Sequence, residues 1–386
     1  MIRTSLVALL LVAASALPAR SQDATAPEKV RAYVGTYTNS KSKGIYLLEL
    51  DLATGSVADK GLAIESTSPS FLALHPSGKF LYAANEVNRF DGKPVGGVTG
   101  FAIDASSGKL SKIDSQPSGS PGPCHVKVDA TGKALLVANY GGGSVASFPL
   151  DPSGKIGPAA SHVVHQGSGP IKSRQAGPHA HSIDLDPANK FALVNDLGLD
   201  QTLTYAFDAD KATLSPEAVS IAKSQPGAGP RHLAFHPNGK FVYVINELDS
   251  TVAVSVYDPE KGKVTPYQVI STLPPGGVKG STTAEIAVHP SGRFVYGSNR
   301  GADSLVIFAV DPTSGQLALV GFQPTGGKTP RNFAIDPSGK YLLAANQESD
   351  NVVVFRIDPQ AGTLQQVGEP IAVPLPVCIQ FAPIGG

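Results

Sequence analysis

Over most of the chain the apolar positions alternate with polar ones instead of following a helical period, and Gly229 to Asp258, GPRHLAFHPNGKFVYVINELDSTVAVSVYD, is the clearest instance. RHLAFH and FVYVINE flank the turn HPNGK, and TVAVSVY alternates valine with small or polar residues, as a strand with one buried face does. Asn238-Gly239 supplies residues that tolerate positive φ at the reversal, so the first two runs pair as an antiparallel hairpin. That pairing brings Arg231 and His232, which open the first run, to one sheet edge with Asn246 and Glu247, which close the second.

The unit recurs. HPSGK at His75, DATGK at Asp129, DPANK at Asp186, HPNGK at His236, HPSGR at His289 and DPSGK at Asp336 stand about 50 residues apart, the spacing of propeller blades. Each turn leads into a strand closing on LYAANE, LLVANY, ALVND, VYVINE, VYGSNR or LLAANQ, then into a further strand and, in most copies, a second glycine turn. Four short strands make a blade, and because a lone blade leaves both faces wet, copies stack radially until a ring closes. At the C-terminus PVCIQFAPIGG reads as a first strand, with Cys378 where His232 falls; at the N-terminus RAYVGTYTNSKSKGIYLLELDLATGSV reads as the second and third strands of a blade lacking its first. The expected fold is an all-β, seven-bladed β-propeller of four-stranded blades, its last blade closed by both termini. Six blades is the alternative if that split is misread.

Composition narrows the class. The 41 Gly and 32 Pro fall at turns, so the 386 residues read as one ring over residues 23–386 rather than several domains. Lys and Arg number 31 against 31 Asp and Glu, with no basic stripe, which excludes an extended nucleic-acid surface. Residues 1–22 read as a signal peptide: Arg3, the apolar run LVALLLVAASAL, then small residues at Ala19 and Ser21. That run is too short for a comfortable span, so the mature chain is expected in the periplasm or secreted, with no membrane partner. Cys124 and Cys378 fall on first strands two blades apart, beyond disulfide reach, and read as buried fillers.

First strands line a propeller's channel, and the residues opening them are Ser70-Phe71, Cys124-His125, His179-Ala180-His181, Arg231-His232, Ala284-Glu285, Arg331-Asn332 and Val377-Cys378. After the recurring Asn come Glu86, Tyr140, Asp196, Glu247, Arg300 and Gln347. Charged residues are only 16% of the chain yet crowd this set, as acid/base chemistry on an anionic or carbonyl substrate requires. The Asn residues read as turn caps, and His75, His236 and His289 as turn residues. Arg231, Glu247, Arg300 and the His179/His181 pair break the internal symmetry, and packing gives a repeat scaffold no reason to break it there. His179 and His181, two apart in a strand, share a face and could hold a metal, but a third ligand is not evident, so no metal or cofactor is assigned.

YVGTYTNSKSKGIYLLELD, GPHAHS, GPRHLAFHPNGKFVYVINEL and HPSGRFVYGSNRG together resemble the lactonase family of seven-bladed β-propellers, which includes propeller-type 6-phosphogluconolactonases and carboxy-cis,cis-muconate cyclases. The resemblance runs from about Tyr33 to the C-terminus and implies a site of His179 or His181, Arg231, Glu247 and Arg300. His125, His232, Glu285, Arg331 and Gln347 are expected to bind substrate beside it. The implied reaction is hydrolysis of a small-molecule sugar lactone: Glu247 or a channel histidine takes a proton from water, and Arg231 or Arg300 steadies the oxyanion. No G-x-S-x-G nucleophile motif is evident, which favours direct attack by water. A muconate-type lactonizing cyclase and a non-catalytic secreted binding propeller are the alternatives, and an export signal fits a free aldonolactone better than a phosphorylated one.

Overall fold

The computed structural model describes residues 29–38 and 40–384 as seven antiparallel sheets in a ring. The expected signal peptide lies outside the described residues, among which no helix is long and apolar enough to cross a membrane. Blade 1 is the shared one: Pro376–Pro383 is its first strand and pairs antiparallel with Lys29–Thr36, which is followed by Gly44–Asp51 and Val57–Glu65. The first strands of blades 2 to 7 are Pro69–Leu74, Pro123–Val128, Ala180–Leu185, Pro230–Phe235, Thr282–Val288 and Pro330–Ile335. Blade 4 departs from the pattern, because two short pieces, Thr213–Leu214 and Ser220–Lys223, share its outer edge.

The hydrophobic core is seven wedges between neighbouring blades. One holds Val34, Leu48 and Ile379 of blade 1 against Leu343 and Val354 of blade 7; another holds Tyr243 and Val254 of blade 5 against Val295 and Phe308 of blade 6. Polar bonds help set the register of four of these wedges. The buried hydroxyls of Tyr33, Tyr82, Tyr243 and Tyr296 each donate to a glycine carbonyl in the next blade's outer turn: Gly108, Gly154, Gly315 and Gly362, at 2.8–3.0 Å. Gly362 has φ of +72°, and a Cβ there would lie 2.4 Å from Phe294 Cδ1, so both conformation and space demand glycine.

The turn histidines tie the same end of neighbouring blades together nearer the axis. In His75, His236 and His289, Nδ1 accepts a backbone N–H at 3.1 Å, which leaves the proton on Nε2. Nε2 then donates to Gly132, Gly292 and Gly339 of the next blade, at 3.0, 3.0 and 2.8 Å. The recurring Asn bonds across the turn after it, Asn139, Asn246 and Asn346 donating to Ser144, Thr251 and Asn351 at the start of the third strand. Asn85, Asn139, Asn299 and Asn346 also donate to Thr67, Ser118, Thr272 and Thr325, tying the second strand to the linker that enters its own blade. Cys124 and Cys378 are buried free thiols.

Replacing Tyr296 by Phe strands the buried Gly362 carbonyl. Urea unfolding is expected to show a loss of about 1–3 kcal/mol, with the fold and any turnover at the channel unchanged.

Candidate active site

One irregularity of the first strands builds the site. Opposite Asn246 and Ile245 the register of blade 5 slips by a residue between Pro230 and His232, so Arg231 is the extra residue of a β-bulge and is re-aimed. The same slip occurs at Ser70, Cys124, His181 and Arg331, and a wider one takes in Ala284 and Glu285. The residue after the second strand adds the rim. Its backbone N–H bonds back to the blade's entry turn, as for Glu86, Tyr140, Glu247 and Gln347. In blade 4 the residue making this bond is Leu197, to His179. Asp196 therefore takes the place of the recurring Asn, one position before the rim, and binds His179 N, Leu199 N and His165 Nδ1.

Glu247 is the centre of the mouth. Its Oε2 lies 3.1 Å from Arg231 Nε, 3.0 Å from Arg300 Nη2 and 3.9 Å from His181 Nε2, and its Oε1 lies 2.5 Å from Arg174 Nη2. Burial alone would raise the pKa of this carboxyl, but the guanidiniums of Arg300, Arg231 and Arg174 outweigh it and hold it at about 2. Arg300 moves the other way, to about 10, because burial outweighs its attraction to Glu247. Arg231 donates a second bond to Ala284 O, at 2.5 Å. His181 is held far below the usual imidazole range, first by burial and then by Arg231, so it is neutral.

A cavity of about 190 Å³ opens over this cluster, lined by Glu86, Cys124, Tyr140, Arg174, His181, Glu247, Arg300 and Arg331. Arg231 stands behind Glu247. Arg331 packs over the Tyr37 ring at 5.4 Å and, among the described residues, is paired with no carboxylate, while Tyr37 donates to Glu86 Oε2 at 2.9 Å. Four guanidiniums thus face two carboxylates, a surplus of positive charge set in a concavity.

The other expected residues fall elsewhere. His179 precedes the strand and does not line the mouth cavity: its ring stacks on Tyr140 at 4.4 Å with Nδ1 2.9 Å from Tyr140 O, while the His181 ring meets the same Tyr140 edge-on at 5.3 Å. His125, His232 and Glu285 line a separate cavity of about 340 Å³ at the opposite end of the channel. There His232 Nδ1 lies 3.0 Å from Glu285 Oε1, and desolvation lifts Glu285 to about 7. Gln347 follows the second strand of blade 7 but does not line the mouth cavity, and its buried Oε1 has no partner among the described residues. The His232 ring lies 5.3 Å from that of His125 and 5.2 Å from that of His181, with Phe71 4.2 Å from His125, so a ring cluster stands between the two cavities.

Arg174 and Tyr37 escaped the sequence reading. Arg174 lies in a 15-residue interblade linker, against 3 to 10 residues for the others, on a short helix, Lys172–Gln175. Buried Gln175 pins that helix by donating to Leu197 O and Asp200 Oδ1. The excess length was the available signal. Tyr37 follows Thr36, which stands where other blades carry Asn.

Fold and mouth together define a seven-bladed propeller with an arginine-lined carboxylate site at one end of its channel. The chain belongs to the family described as lactonase, 7-bladed beta-propeller, whose pattern matches residues 31–381. It is 38% identical over 349 residues to the 6-phosphogluconolactonase of Bacillus subtilis, a match covering 90% of this chain and 97% of that protein. A 6-phosphogluconolactonase of Formosa agariphila is 36% identical over 304 residues, covering 78% of this chain and 84% of the relative. Among solved structures, the periplasmic gluconolactonase of Pseudomonas aeruginosa superposes with a TM-score of 0.84 at 32% identity, covering 92% of this chain and 99% of that one.

A carboxyl held at about 2 in the fold against an ordinary 4.5 stabilises the protein fully above pH 4.5, and that contribution is lost as pH falls towards 2. It amounts to roughly 3 kcal/mol. Glu247→Gln is expected to lower stability at pH 7 by about 3–5 kcal/mol, because it leaves buried guanidiniums unpaired. Its stability should also fall less steeply than wild type between pH 5 and 2, as read by urea unfolding across that range.

Proposed function

We propose that the protein hydrolyses a sugar lactone at the arginine-lined mouth. The observation that carries this reading is the division of labour among the guanidiniums. Glu247 engages Arg174, Arg231 and Arg300, whereas Arg331, in the same cavity, has its donors open to a ligand. A fixed array of this kind is complementary to an acyl oxygen acquiring negative charge, and its donors need no reorganisation as the charge forms.

Glu247 fits the general-base role poorly. Its oxygens already accept from three arginines. His181 takes the base role by position: it is the imidazole that lines the mouth, it is uncharged and free to accept a proton, and its Nε2 lies 3.9 Å from Glu247 Oε2. In this mechanism His181 Nε2 takes a proton from water as the water oxygen attacks the lactone carbonyl. Arg300 and Arg331 bind the resulting oxyanion. The tetrahedral carbon then expels the ring oxygen, which recovers the proton from His181, leaving the open hydroxy acid. Glu247 steadies the transient imidazolium and holds the arginine heads in place.

The expected export signal and the likeness to a periplasmic gluconolactonase favour a free aldonolactone over its 6-phosphate, and a periplasmic or extracellular location.

Proton release by the mature protein is measured with glucono-δ-lactone, its 6-phosphate and a muconolactone, each against spontaneous hydrolysis. Acceleration is expected with the free sugar lactone, and His181→Gln should lower kcat by about 10²–10⁴. Arg331→Gln should lower kcat/KM by about 10²–10³ while the fold persists. Spontaneous rates with all three substrates would leave a binding propeller in place of an enzyme.

A further inference from the structure

The far end of the channel carries its own break in symmetry. One equivalent position of the first strand, its fifth residue in six blades and its sixth in Thr282–Val288, is alanine in four blades, at Ala73, Ala234, Ala287 and Ala334. These small side chains pack against the wedges between blades. The other three blades place Lys127, Asp184 and Gln380 at this position, and all three line the cavity of about 340 Å³. That volume is at the lower end of small-molecule sites, which run from roughly 300 to 1,000 Å³.

The polar groups there are arranged for hydroxyls rather than for an ion. Asp184 Oδ1 lies 3.2 Å from Lys127 Nζ, so its charge is already compensated. Glu285 is likewise engaged: His232 Nδ1, Ile286 N and Asn332 Nδ2 surround it at 3.0, 2.9 and 2.5 Å. Lys127 is thus taken up by Asp184, and no free cation remains to select an anion. Among the described residues no group of three His, Cys, Asp or Glu converges as a metal site. His125 Nδ1 accepts the Ile183 N–H at 3.4 Å, which puts its proton on Nε2, and that N–H faces Asp184 Oδ2 across 4.0 Å. This distance is too long for a direct hydrogen bond. One hydroxyl set between the two groups accepts from the imidazole and donates to the carboxylate, using both halves of its hydrogen-bonding capacity. Phe71, Leu72 and Leu233 supply an apolar wall against which the C–H face of a ring can rest.

We propose that the far end of the channel is a second small-molecule site, taking a neutral polyhydroxylated ligand of monosaccharide size through the gap between His125 and Asp184. The site is independent of the reaction at the mouth and does not rest on the lactonase reading.

Saturation-transfer NMR with D-glucose tests it, with inorganic phosphate as the charged competitor. Transfer is expected in wild type and in the mouth variant Arg331→Gln. Affinity should weaken tenfold or more in Asp184→Asn, which removes a charged acceptor. Lys127→Met alters a half-exposed side chain and keeps its stem, so it gives a second reading where Asp184→Asn fails to fold, again with weakened binding. No transfer in wild type, undiminished affinity in the folded far-end variant, loss of transfer in Arg331→Gln, or displacement by phosphate would each overturn the proposal.

Discussion

Everything at the hub depends on one strand pairing, that of Pro376–Pro383 with Lys29–Thr36. Six blades follow each other along the chain and close their own sheets, but the seventh exists only when the two ends of the fold meet. Without it the wedges on either side of blade 1 lose a wall, and Val34, Leu48, Ile379, Tyr33 and Leu47 would face water. The ring also sets the angle at which seven bulges point inward, so closure is a condition for the channel as well as for the core.

Within the ring, the mouth concentrates charge that a protein interior resists. Arg231 from a first strand, Arg300 from a second strand and Arg174 from a linker all converge on Glu247. Three cations brought together without that carboxylate would repel one another in a poorly hydrated setting, and the carboxylate alone would be neutralised by burial. Each side makes the other tolerable. Glu247 is therefore the keystone of an electropositive site, and in the proposed mechanism the proton-transfer role goes to His181.

The architecture was legible because hairpin chemistry repeats. HPNGK-type turns and strands closing on Asn recur often enough to count blades and to place the shared blade, including the match of Cys378 to His232. Glu247, Arg231, Arg300 and His181 were legible because they break that repetition. The bulge was not, since no residue type marks which position is the extra one, so the re-aiming of Arg231 and His181 could not be read from the sequence. The Asn195-Asp196 pair concealed a one-residue offset: Asp196 replaces the recurring Asn rather than following it. Arg174 belongs to no repeat position, so no comparison among blades could expose it. The partition of channel residues between two ends was hidden as well, because neighbours such as Arg231 and His232 serve different cavities.

The packed rings of Phe71, His125, His181 and His232 change what kind of object the hub is. The hub holds a separate cavity at each end with these rings between them, so mutations that reshape one cavity leave the other free to drift or to acquire a task of its own.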